Sequence, residues 1–122
     1  MLHKEIIEKV KGELDIPADK FAGYAADAEV LMEYLDQKNV LFKEDNELAF
    51  LAHIVTLLIR LETGERVQGM GEEILAQIDR EALAITSEFM SVIEKKYTKA
   101  DTAEVILAAI HIQTAMEIME ES

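Results

Sequence analysis

The chain has no cysteine among its 122 residues, which excludes disulfides, thiolate metal ligands and thiol nucleophiles while leaving the compartment open. Basic residues are scarce as well: 12 Lys and Arg stand against 25 Asp and Glu, a formal net charge of −13. Nucleic-acid affinity comes mainly from cations that neutralise phosphates, so no direct DNA or RNA partner is expected. An acidic surface suits a basic protein partner and equally well plain solubility, so charge alone selects neither. No uninterrupted apolar run approaches the roughly 20 residues of a membrane span. The start, Met1-Leu-His-Lys-Glu-Ile-Ile-Glu-Lys9, breaks its apolar residues with charge and has no signal-peptide core. The expectation is a soluble cytoplasmic protein with no membrane partner, a single domain over residues 1–122 that can stand on its own core.

Histidine is equally sparse, with three in all. Neither His-x-x-x-His nor His-Glu-x-x-His occurs, so no metal site is expected. Ser87 and Ser91 have no nucleophile-elbow context and no base at helical spacing, which leaves no hydrolase triad. The glycines of Thr63-Gly-Glu-Arg-Val-Gln-Gly-Met-Gly71 lack the Gly-Lys-Ser/Thr ending of a phosphate loop. No cofactor and no catalytic residue are expected, and the protein is read as not an enzyme.

Strand periodicity is missing too. Apolar residues recur at three and four, which sets the fold class as all-α. Ile6, Ile7, Val10 and Leu14 line a first helix, stopped at Asp15-Ile-Pro17 because proline disfavours helical geometry in its predecessor. His3 falls at its frayed start and is given no role. Phe21, Ala25, Ala28, Leu31, Met32 and Leu35 line a second helix ending near Gln37-Lys-Asn39, after which Val40-Leu-Phe42 is expected to tuck into the core. Asp45 or Asn46 is placed to cap a third helix whose stripe is Leu48, Leu51, Ala52, Val55, Leu58 and Ile59. Residues 63–71 form the one proper loop. From Glu72 to Tyr97 the pattern predicts one long helix, or two joined near Asp79-Arg80. Thr98 with Asp101 resembles a capping box for a last helix running to about Glu120, with Met116 and Met119 as core fillers. Val105 to Ile110 carries no polar side chain, so this last helix is expected to be wrapped on nearly every side.

Two stripes remain as candidates for chemistry. His53 has Arg60 seven residues after it; His111 has Glu104 seven residues before it. Seven residues are close to two helical turns, so each pair shares a face. If the two helices pack antiparallel with the imidazoles facing, Arg60 falls opposite Glu104 and a salt bridge lies about two turns from a histidine pair.

Asp45-Asn-Glu-Leu-Ala-Phe-Leu-Ala-His53-Ile-Val-Thr-Leu-Leu-Ile-Arg60-Leu-Glu-Thr-Gly64 resembles the first signature of the PTS regulatory domain (PRD), a histidine and isoleucine followed by an arginine and a glycine. Asp101-x-x-Glu104-Val-Ile-Leu-Ala-Ala-Ile-His111-Ile-x-x-Ala115 resembles the second. The likeness covers most of residues 1–120. It implies a five-helix bundle that forms a homodimer and serves the bacterial sugar phosphotransferase system in transcriptional or metabolic regulation. His53 and His111 would be phosphoacceptors, with Arg60 and Glu104 supporting them. The partners implied are a phosphocarrier protein or a sugar-specific phosphotransferase subunit, and a separate regulator protein, since these 122 residues hold neither the RNA-binding nor the helix-turn-helix domain that such regulators carry and the likeness is to a stand-alone domain. One departure is Ala52, where the family commonly has an aspartate. It favours the alternative, a degenerate PRD acting as a structural or assembly partner without phosphate chemistry. A third reading, an enzyme with an acid–base histidine, requires a concave pocket around His111 that holds a second polar group.

Overall fold

The computed structural model describes residues 3–14, 16–65, 72–97 and 102–121. Among them there is no strand. The elements are α1 (His3–Leu14), α2 (Ala18–Gln37), α3 (Glu44–Thr63), α4 (Glu72–Leu75), α5 (Arg80–Glu94) and α6 (Thr102–Glu121). Five are helices of several turns; α4 is a single turn, so the 72–97 pattern resolves into two helices with the junction near Asp79–Arg80 and almost all the length in α5. The capping pair Thr98 and Asp101, like most of the 63–71 loop, lies outside the described residues.

The centre of the bundle is α3, not α6. It packs against α1, α2 and α6, and Phe50, Leu51, Ile54, Val55, Leu57 and Leu58 on it are all fully buried. That is wider than one stripe: Phe50, Ile54, Leu57 and Leu61 join it, while Leu48, Ala52 and Ile59 are only half-buried. A helix surrounded by partners can bury positions all round. By contrast, α6 buries Ala103, Ile106, Ala108, Ala109, Ile112 and Ala115 but leaves Ile110 38% exposed, because it meets only α3 and α5 closely. Its stretch Thr102–Glu120, mean hydropathy 1.2, has the length and composition to cross a membrane, and 39% of it is buried inside the bundle. The small residues Ala108, Ala109 and Ala115 let it lie close to its neighbours.

Three places at or between helix ends differ from expectation. The residue preceding α3 is Lys43, with no side-chain cap bond; Glu44, Asp45 and Glu47 all fall in the first turn instead, where they complement the positive end of the helix dipole. Of Val40-Leu-Phe42, Val40 is buried and Phe42 stacks on Phe50 at 4.7 Å between centroids, but Leu41 is 54% exposed. Asn39 turns the chain with φ 61°, reversing it so that alternate residues point in and out. Met119, expected as a core filler, is 37% exposed, and its sulfur accepts a hydrogen bond from the Leu41 backbone N–H.

At the carboxyl end of α3, Gly64 adopts φ 84° and its N–H donates to the Arg60 carbonyl at 2.9 Å. A Cβ here would meet nothing within 4 Å, so the only objection to a side chain is the left-handed backbone. Gly64→Ala is expected to destabilise the fold by about 1 kcal/mol. Gly23→Ala, in the exposed interior of α2 with equally open space, is expected to stabilise by roughly 0.5–1 kcal/mol. Urea unfolding of the two variants checks the opposite signs.

Candidate functional site

The antiparallel register holds. His53 meets His111 and Arg60 meets Glu104 across the seam of α3 and α6, an order that only antiparallel helices allow. The imidazoles stack, with centroids 5.4 Å apart and planes at 20°. Phe50, three residues before His53 and therefore on the same face of α3, also packs against the His111 ring at 5.6 Å and 59°. The His111 ring is thus held by two rings of one helix. Phe50 was absent from the expected stripe, although its i, i+3 relation to His53 is visible in the sequence.

Arg60 grips Glu104 with both arms of its guanidinium. Nε donates to Oε2 at 2.6 Å and an Nη donates to Oε1 at 2.8 Å. Fork-on-fork geometry of this kind is the strong form of an ion pair. The Glu104 side chain is 3% exposed and that of Arg60 18%. Burial alone would push the Glu104 carboxyl up, but Arg60 and the nearby His53 more than offset it and hold its pKa down at about 2; the start of α6 adds its favourable dipole. The Arg60 guanidinium is raised in turn by Glu104.

The bridge is not two turns distant from the histidines, as backbone spacing suggested. Glu104 Oε1 comes to 3.6 Å from His53 Nε2, a distance closed by the reach of the side chains and not by the backbone spacing. At that distance the contact is electrostatic and not a hydrogen bond. Both ring nitrogens of His53 are buried without a hydrogen-bond partner. Unsatisfied buried polar atoms cost stability, typically 1–3 kcal/mol, and call for an explanation. His111 is partly exposed. Its pKa is lowered, first by burial and second by the neighbouring His53, which keeps the ring neutral and one nitrogen lone pair free at neutral pH.

No family model, curated protein or solved structure matches this chain.

His3, given no role above, is tied down instead: Nδ1 lies 2.9 Å from a Glu47 oxygen and Nε2 2.7 Å from an Asp36 oxygen. Partners 33 and 44 positions away leave no local pattern to read. No group of three or more potential metal ligands forms among the described residues. The cavities of about 390 and 420 Å³ are lined by Tyr24, Asp27 and Tyr97 and by Val40, Ile85 and Met116 respectively, and neither reaches His53 or His111.

Proposed function

We propose that this protein is a phosphorylation-responsive regulatory domain of the PRD type, with His111 as the principal phosphoacceptor. The observation that carries the reading is the stacked imidazole pair, one ring with both nitrogens enclosed and the other partly exposed, beside a bidentate Arg60–Glu104 clamp. The division of labour follows from burial. His111 is the ring a donor protein can approach; His53, with both nitrogens enclosed, positions it. Transfer needs a neutral nitrogen. The His111 lone pair attacks the phosphorus of a donor phosphohistidine protonated on its other ring nitrogen; the new N–P bond forms as the donor's breaks, the donor ring leaves as neutral imidazole, and the acceptor becomes the phosphorylated imidazolium. The lowered pKa of His111 favours that attack.

A phosphoryl group would add roughly −1.5 to −2 charges if phosphoserine-like values carry over. The Arg60–Glu104 pair presents no net charge to it, so the group alters the seam by competing with Glu104 for Arg60. Facing a second copy across a two-fold axis, it acts directly: unit charges at 4 Å and an effective dielectric near 20 are worth about 4 kcal/mol, close to the roughly 5.5 kcal/mol that reverses a 1:99 population. The partners are a phosphocarrier protein or a sugar-specific transport subunit, with output through dimerisation and a separate regulator, in the cytoplasm.

A second reading, a PRD-like assembly partner without phosphate chemistry, is favoured by Ala52 and by the sealed nitrogens of His53. Incubation with phosphoenolpyruvate, the general phosphotransferase proteins and a transport subunit separates the two. Acid-labile label is expected on the wild type, reduced at least tenfold in His111→Ala and retained in His3→Gln. Absence of label with every donor supports the assembly reading.

A further inference from the structure

The amino end of α1 is fastened by an arrangement that the His53–His111 reading does not use. Both nitrogens of His3 face carboxylate oxygens, Glu47 of α3 at 2.9 Å and Asp36 of α2 at 2.7 Å. A carboxylate only accepts hydrogen bonds, and a neutral imidazole has one N–H to donate. With one proton, the ring would set a lone pair against an oxygen at hydrogen-bond distance. With two, it satisfies both partners. The geometry therefore defines the protonation state of the fastened form as the imidazolium.

Its surroundings fit a cation. Asp36 and Glu47 are the charged groups that act on the ring, one from each helix packed against it. Glu47 is 4% exposed, so its carboxylate depends on a partner inside the protein. Asp36 is next to the last residue of α2, where the negative end of the helix dipole also favours positive charge. The neighbouring Lys9–Glu44 contact between α1 and α3 is exposed at both ends and carries no comparable switch, because a lysine does not titrate near neutral pH. Farther along α1, Ile6, Ile7 and Val10 are buried, so loss of the His3 contacts frees the first turn and leaves the helix docked.

We propose that His3 is a proton-operated clasp joining the amino end of α1 to the end of α2 and the start of α3, closed when the ring carries two protons and opened as pH rises. Although burial by itself lowers the His3 pKa, the hydrogen bonds and charges of Glu47 and Asp36 outweigh it and the net direction is up. A group with a raised folded pKa stabilises fully below its unfolded value, about 6.5, and that contribution is lost as pH rises through the folded value. The clasp is closed in mild acid and released as pH rises through the folded-state pKa of His3.

Histidine-resolved NMR titration of the full chain tests the proposal, together with exchange protection at the Ile7 amide, the helical donor to the His3 carbonyl. The expected results are a His3 pKa above about 6.5 that falls towards that value in Asp36→Asn and in Glu47→Gln. Ile7 protection, corrected for intrinsic exchange, should drop several-fold as pH passes the His3 pKa in the wild type and stay flat in His3→Gln. The difference in Tm between wild type and His3→Gln, about 3–5 °C at pH 5.5, should close once the pH has risen through the His3 pKa. An ordinary His3 pKa insensitive to both carboxamide variants, or Ile7 protection with the same pH dependence in wild type and His3→Gln, overturns the clasp.

Discussion

Phe50→Ala is expected to cost about 4 kcal/mol, the middle of the range for emptying a fully buried phenylalanine site, and to lower Tm by on the order of 10–20 °C. The side chain is 0% exposed and stands where four rings meet: Phe42 stacks on it at 4.7 Å, Phe89 tilts against it at 5.8 Å and His111 closes the cluster at 5.6 Å. Few neighbours can collapse into the vacated volume, because α3 is held by α1, α2 and α6 together. Beyond stability, the substitution removes one of the two rings that hold His111. His111 should become more mobile on its free side, seen as broadened or averaged ring resonances at a temperature where the variant remains folded. Phe50→Leu, which refills most of the space, should recover most of the stability but not the ring contact. Chemical denaturation gives the first quantity and imidazole line shapes the second, so packing and positioning are separable.

Arg60→Met is expected to cost about 3 kcal/mol at pH 7. Removing one partner of a buried pair leaves the other charge uncompensated, which typically costs about 3–5 kcal/mol; the lower end applies because the Arg60 side chain keeps 18% exposure, against 3% for Glu104. The variant also reverses the acid response. In the wild type the Glu104 pKa is about 2, below the unfolded carboxylate value of about 4.3. Its contribution is complete above the unfolded value and is lost as pH falls towards 2. Without Arg60, burial dominates and the folded carboxyl moves up, so the variant gains relative stability as the pH is lowered. The gap between wild type and variant should therefore shrink between pH 7 and pH 4, measured as midpoints of urea unfolding. Adding Glu104→Leu to Arg60→Met should recover most of the loss, since apolar replacement of both members of a buried pair is often close to neutral. A gap that stays flat between pH 7 and pH 4 would mean that Glu104 in the variant is solvated and not sealed.

The parts of this molecule legible in the sequence are those governed by spacing along one helix. His53 to Arg60 and Glu104 to His111 are each two turns, so the facing of the two pairs followed from equal offsets and one assumption about direction. The helices followed from apolar recurrence, since α2 buries Phe21, Ala28, Leu31, Met32 and Leu35 from its expected face. What was illegible depends on the third dimension. The His3 contacts join three helices, and nothing near residue 3 announces Glu47 or Asp36. Glu47 sits on the first turn of α3, where the helix dipole favours it, but its burial depends on α1 lying over it. Leu41 and Met119 look like core by composition and are exposed, because the reversal at Asn39 and the outer position of α6 put them at the rim. The greater burial of α3 relative to α6 could not be ranked either: both helices are strongly apolar, and only the count of neighbouring helices separates them. The approach of Glu104 to His53 depended on side-chain reach, which residue spacing does not contain.

The central claim is that His111 accepts a phosphoryl group while His53 holds it in place. Proton–nitrogen correlation of the histidine side chains, recorded at alkaline pH before and after treatment with the phosphoenolpyruvate relay, tests it most directly. The account predicts that one His111 ring nitrogen becomes coupled to phosphorus, that the His53 resonances shift without such coupling because the rings stack, and that His3 is unchanged. Three unmodified imidazoles after treatment with every donor, or phosphorus coupling confined to His3, would contradict it.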